Sequence, residues 1–292
     1  MRVALRVDVQ TLRGLREGVP NLMRLFSEFQ VRASFFFPMG RDLSGRRPVQ
    51  AWRSRRHLGF ASLAYGTLLI PPALGRVSKQ WLVTARQNGH EVGLFGLSPL
   101  IWARRLAHAE SDWVQRECGA LWARYTDEVA DEPIALATPA WQINPALMAE
   151  LDRSRFAFSS LTRGKLPYRP ILQGERSGVP EIPTTLPTVD EMLQHGGVND
   201  HNVHEFLYAE SCRVLPAGHV FAASAEREGL DRLGLMEKLL VMWKGQEGSL
   251  RALGDLLQEA DMATLPEHQI GWGRVTGSTD HMAIQSIEVP QA

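Results

Sequence analysis

The sequence predicts an α/β protein: a single distorted parallel (β/α)7-type barrel spanning residues 1–292, with a basic and apolar insertion at about 41–78. Two observations predict it. Short apolar runs rich in β-branched and aromatic residues alternate with longer segments of helical period, the pattern of a parallel sheet whose crossovers are helices. Seven or eight such units in 292 residues suit one closed barrel better than two domains. An open doubly wound sheet shares the alternation and stands as the alternative.

Each element has its own signal. Residues 3–9 (VALRVDV) read as a strand, and 18–31 as a helix with Val19, Leu22, Met23, Leu25, Phe26 and Phe29 on one face. A strand at 33–37 ends near Pro38. A helix at 80–89 stops at Gly89, and a strand at 90–96 comes next. Then come a helix over about 110–128, a strand at 133–141 and a helix from Pro145 to Asp152. Short strands are expected at 156–161, 179–187, 218–226 and 262–269, with helices at 200–214, 231–242 and 248–260.

Composition narrows the function. Lys plus Arg balance Asp plus Glu at 32 each, which argues against nucleic acid as a partner. The two cysteines, Cys118 and Cys212, have no C-x-x-C spacing, so a reducing compartment is expected. Charges at Arg2, Arg6 and Asp8 interrupt any apolar leader core, and no run of about 18 apolar residues appears. The expectation is a cytoplasmic protein. The insertion qualifies it: Arg41, Arg46, Arg47, Arg53, Arg55 and Arg56 face one acid, Asp42, and lead into the apolar stretch 57–74. A basic cluster beside such a stretch can lie on an anionic membrane surface. It can equally pack on the barrel or on another protein.

Barrels of this kind carry their chemistry at the C-terminal ends of the strands. The residues there are Asp8, Gln10, Phe95, Pro99, Trp141, Gln142, Ser224 and Glu226. These ends, with the stretches RVDVQTLRGLREGVP (6–20), ASFFFPMGRD (33–42), HEVGL (90–94), RGKLPYRPIL (163–172), EIPTTLPTVDE (181–191) and AEREG (225–229), resemble one family. It is the ArnD-like deformylase branch of the polysaccharide deacetylase (NodB-like) superfamily.

The resemblance implies metal-assisted amide hydrolysis. It places the base on Asp8 and the metal-binding aspartate on Gln10. The two metal histidines fall on Phe95 and Pro99, the arginine that orients the base on Gln142, and the general-acid histidine on Ser224. One position of the six keeps its residue type. A catalytic metal lowers the pKa of bound water from about 15.7 to about 7, worth at most about 12 kcal/mol. A general base contributes about 10²–10⁴-fold. The family's divalent metal is therefore expected to be lost, no cofactor is expected, and hydrolysis is expected to be lost with the metal.

With Phe95, Leu97, Pro99 and Leu100 in place of a metal-bearing wall, a drier, partly filled pocket is expected. Arg13, Arg16, Arg163, Arg169, Glu226 and Glu228 are kept and are candidate ligand-binding residues, since arginines suit phosphate and the family substrate is a phosphate-linked sugar lipid. Structural ion pairs such as Arg16–Glu228 are the competing reading. The expected role is a non-catalytic, binding or accessory protein in lipid-linked aminosugar modification. Its partners would be a lipid-linked sugar phosphate, an active deformylase paralogue and a membrane surface touched through 41–74. A remodelled, metal-independent deformylase using Asp8, Glu226 and Ser224 is the alternative.

Overall fold

The computed structural model describes residues 1–46, 61–128, 133–154, 156–245, 249–260, 262 and 264–290. Its centre is strand β1 (Arg2–Asp8), whose helix-facing positions Val3, Leu5 and Val7 are sealed from solvent. Parallel to it run β2 (Ser34–Phe37), β3 (Glu91–Leu94), β4 (Ala135–Ala137) and β5 (Phe158–Ser160) on one side, and β8 (His219–Ser224) on the other. Short β9 (Ser249–Arg251) pairs with the N-terminal half of β1 on the edge whose C-terminal half takes β2.

Segment 180–186 closes the circle between β5 and β8. Ile182 N–H donates to Ser159 O at 2.8 Å, and Leu186 N–H to Val220 O at 3.0 Å. Pro180, Pro183 and Pro187 lack donors, so this stave pairs only in places. The predicted parallel barrel is thus the observed one.

Crossover helices cover the outside: α1 (Val19–Glu28), α2 (Leu74–Gln87), α3 (Pro99–Arg105), α4 (Ser111–Glu128), α5 (Pro145–Arg153), α6 (Val189–Met192), α7 (Val203–Ser211), α8 (Leu233–Gly245) and α9 (Gly254–Gln258). The face of α1 read from the sequence is the buried one, and each such side chain contributes about 1.5–3 kcal/mol. Its helix ends at Gln30, at φ 52°, with Val31 N–H returning to Phe26 O. His90 lies at the inner end of α2, bonded to Ala33 N–H and packed on Phe26 and Phe35. Trp102 and Trp113 pack together outside the barrel, their centroids 6.4 Å apart.

Two expectations change near the C-terminal end. The helix expected at 248–260 is strand β9 and then α9. The strand expected at 262–269 is β10 (Glu267–Gly273), longer and later in the chain. It belongs to a second sheet, in the order β11, β10, β6, β7, with β6 (Arg169–Leu172), β7 (Glu175–Arg176) and β11 (Met282–Val289). The turn between β6 and β7 is Gln173–Gly174, both at positive φ, the geometry of a two-residue hairpin. In the insertion, Arg47, Arg53, Arg55, Arg56 and residues 57–60 lie outside the described residues. From Ala61 the chain makes a turn of 3-10 helix, Ala61–Leu63, and then a tight loop.

Candidate functional site

A cleft of about 420 Å³ opens at the C-terminal ends of the barrel strands. Asp8, Gln10, Thr11, Phe95, Pro99, Trp141, Ser224, Glu226 and Glu228 line it, so the fold brings together every predicted strand-end position except Gln142. Arg13, Arg16, Arg163 and Arg169 are likewise not among the lining residues.

Arg6 organises the centre. It is fully buried in the middle of β1. In a strand, residues two apart share a face, so Arg6 and Asp8 both point inward. The guanidinium donates from Nε to Asp8 Oδ1 at 2.7 Å and from Nη2 to Oδ2 at 2.9 Å. Its remaining N–H groups reach Ser160 O at 2.6 Å, Ser160 Oγ at 3.2 Å and Thr138 O at 3.5 Å. Phe36, Phe95 and Trp141 surround it, with ring centroids 5.4, 5.8 and 5.6 Å from Cζ. Burial pushes the Asp8 carboxyl above the usual carboxylate range, against the pull of Arg6. Sequence reasoning missed Arg6, although a charge inside an apolar strand two residues before a carboxylate is a readable signal.

Of the drier, partly filled pocket expected, the apolar wall forms, and a cleft of about 420 Å³ stays open beside it. Phe95 is wholly buried, its ring packed against Arg6 at the edge of the cleft, and Leu97 is also buried. Pro99 opens helix α3, where a missing N–H costs nothing. Phe95 and Pro99 build an apolar wall with Leu100 and Ala103, facing the carboxylates of Asp8, Glu226 and Glu228 across an open cleft.

The loops after β1 and β8 interlock. Glu226 Oε1 accepts from Gln10 N–H at 2.9 Å, Thr11 N–H at 2.9 Å and Thr11 Oγ at 3.0 Å, while Oε2 accepts from Ser224 Oγ at 2.9 Å. The chain then makes a wide π-type turn, Gly14–Gly18. A Cβ on Gly14 would sit 2.0 Å from Glu226 Oε1, and one on Gly18 would sit 1.9 Å from Ala225 O. These glycines are obligatory because backbone and carboxylate come so close. Burial raises the Glu226 pKa, and its oxygens are already engaged.

Glu228 accepts from Ser224 N–H at 2.7 Å, and burial pushes it up to about 7. Its ion-pair partner is Arg232 at 3.6 Å, in place of the Arg16 considered from the sequence; Arg16 itself is exposed.

The other kept residues hold structure. Arg163 is buried, donates to both Glu191 oxygens at 2.7 and 3.0 Å and to Leu186 O at 2.9 Å, and lies over Trp141 at 4.7 Å. Glu191 also completes a capping box with Thr188. Arg169 donates to Met262 O, and Arg13 pairs with Glu17 at 3.1 Å. Gln142 donates to Ala140 O and His281 O, where the resemblance places an arginine on the base.

The metal implied by the resemblance does not fit these residues. Phe95 and Pro99 carry no donor atom, Gln10 offers a neutral amide, and both oxygens of Asp8 are held by Arg6. Among the described residues no three His, Cys, Asp or Glu side chains gather as an ion site. The Ser224 hydroxyl donates to Glu226 Oε2, while Oε1 of the same carboxylate accepts three other bonds.

The barrel, its closing stave and the cleft at the strand ends define a protein of the polysaccharide deacetylase (NodB-like) fold. A candidate polysaccharide deacetylase from Mycobacterium smegmatis superposes with a TM-score of 0.64 at 16% identity, covering 94% of each chain. Another from Pseudomonas aeruginosa PAO1 gives 0.57 at 12%, covering 88% of this chain and 89% of the other. Within that fold the chain is similar to proteins assigned as ArnD deformylases. It is 29% identical over 282 residues to a protein of Shewanella sediminis (strain HAW-EB3) assigned as 4-deoxy-4-formamido-L-arabinose-phosphoundecaprenol deformylase ArnD, covering 89% of this chain and 87% of that one. A protein of Wigglesworthia glossinidia brevipalpis with the same assignment is 25% identical over 193 residues, covering 62% and 67%. No family model matches the chain.

Proposed function

We propose that this chain is a non-hydrolysing ArnD-like protein that binds a lipid-linked sugar phosphate and serves as an accessory to aminosugar modification. One observation carries the reading. The cleft stays open at about 420 Å³ and polar along one wall, while positions 10, 95 and 99 hold Gln, Phe and Pro. A site kept open without groups to activate water suits recognition better than turnover. The relative's phosphoundecaprenol-linked sugar supplies the ligand class. A catalytically intact deformylase is the natural partner, and the inner face of the cytoplasmic membrane the natural place. The metal-independent enzyme is disfavoured by the same geometry: Asp8 and Glu226 are both held by donors.

The test pairs two measurements on the purified chain. After incubation with Zn²⁺, Mn²⁺ and Co²⁺ and desalting, mass spectrometry should find no stoichiometric metal. Calorimetry should find binding of an undecaprenyl-phosphate formamido- or aminoarabinose without release of formate. One metal per chain, or formate release, would overturn the proposal.

A further inference from the structure

The surface feature with no role so far is the tip of the insertion. Leu68, Leu69 and Ile70 are consecutive, with exposures of 91%, 48% and 86%. The tip is not loose. Gly66, at φ 80°, donates to Leu69 O at 2.9 Å, and Leu69 N–H returns to Ala64 O at 2.8 Å. Thr67 bonds Ala64 O through both its N–H and its hydroxyl. A rigid turn thus holds out three apolar side chains.

Two exposed arginines bracket it. Arg46 Nε donates to Gly66 O at 3.3 Å on one side, and Arg41 Nη1 to Pro71 O at 3.4 Å on the other. Between Asp42 and Glu91 the sequence has eight Lys and Arg and no Asp or Glu. An apolar point with a cationic collar matches an anionic bilayer, where the side chains enter the acyl boundary and the arginines stay at the headgroups. A protein interface needs about 800 Å² from each partner, more than three side chains present.

We propose that the Leu68–Leu69–Ile70 tip inserts into an anionic lipid surface, with Arg41 and Arg46 at the headgroups, and so sets the cleft mouth at the membrane. Orientation comes from connectivity. Asp42 N–H bonds Pro72 O at 3.0 Å, Gly45 N–H bonds Tyr65 O at 3.1 Å, and Arg41, Leu43 and Ser44 form part of the cleft lining. The proposal stands independently of what the cleft binds, because Arg46, Leu68 and Ile70 are not among the lining residues.

The experiment is sedimentation of the full chain with vesicles of phosphatidylcholine alone and of phosphatidylcholine with one-third phosphatidylglycerol. The wild type should pellet with the anionic vesicles at low salt. The double variant Leu68→Asp/Ile70→Asp should lose at least about tenfold in partition, since buried apolar area drives insertion. Arg46→Glu should weaken binding and reduce its salt dependence. Circular dichroism should show all variants folded, as the changes are at exposed positions. A wild type that stays in solution, or a tip variant that pellets equally, overturns the proposal. So does a wild-type dimer in gel filtration that the tip variant dissociates without any vesicle binding, which would make the tip a self-interface.

Discussion

Replacing Arg6 with Met tests the centre of the structure most directly. Methionine keeps the length and apolar stem but removes the charge and every donor. It leaves Asp8, whose side chain is 13% exposed, without its counter-ion. Breaking a buried ion pair from one side costs about 3–5 kcal/mol, against a total stability of about 5–15 kcal/mol for a domain. At roughly 2–3 °C per kcal/mol for a chain of this size, the melting temperature should fall by roughly 6–15 °C. Urea unfolding monitored by tryptophan fluorescence gives the free energy directly. The deficit should shrink in acid, where the unpaired Asp8 takes up a proton and no longer needs a cation. The double variant Arg6→Met/Asp8→Leu should recover about 1–3 kcal/mol, because the pair is then removed together. Full recovery is not expected, since Ser160 O also loses its donor. A loss under about 1 kcal/mol for Arg6→Met, with an unchanged urea slope, would refute the view that this ion pair organises the barrel interior.

Two further outcomes are expected. Gly18→Ala puts a Cβ 1.9 Å from the Ala225 carbonyl oxygen, so backbone must move; a loss of about 2–4 kcal/mol in urea unfolding is expected, and a neutral result would mean the two loops are not interlocked as described. Glu228 has a folded pKa of about 7 against an ordinary 4.5, so the folded state holds a proton that unfolding releases between those values. Stability from this group is therefore present below about pH 4.5, declines as pH rises and is gone above about 7, a change of about 3 kcal/mol at most. Glu228→Gln should flatten that part of the urea-midpoint profile; an unchanged profile from about pH 4.5 to about pH 8 would place the titration elsewhere.

Much of the barrel was legible because its elements carry periodic apolar patterns. The α1 face is a case where burial and helical period agree, and strands β1 to β5 are short runs buried along nearly their whole length. The second sheet was not legible for physical reasons. β6 contains Pro170, its hairpin turn is Gln–Gly instead of Asn–Gly, and the outer half of β11 is exposed on both faces, so no alternation marks it. At the site, the positions were readable but their geometry was not. Phe95 could be assigned to the metal wall from the family resemblance, yet only the fold shows it turned under Arg6. The kept arginines could be named as anion binders, yet Arg163 is neutralised by Glu191 from a stretch 28 residues away. Sequence distance hides such pairs.

The interlocked loops bear on how relatedness is read. The stretch RGLREGVP meets AEREG through Gly14, Gly18, Glu226 and Gly229, each constrained by van der Waals contact or by bonds to backbone N–H groups. None of those contacts transfers a proton or touches a metal. The stretch is a clasp, and selection on folding alone is enough to hold it in place whatever chemistry lies beside it. A search keyed to it will gather proteins that share a scaffold, whatever chemistry each carries out. Sorting them requires the residues at positions 10, 95, 99 and 224, which the clasp leaves free to vary.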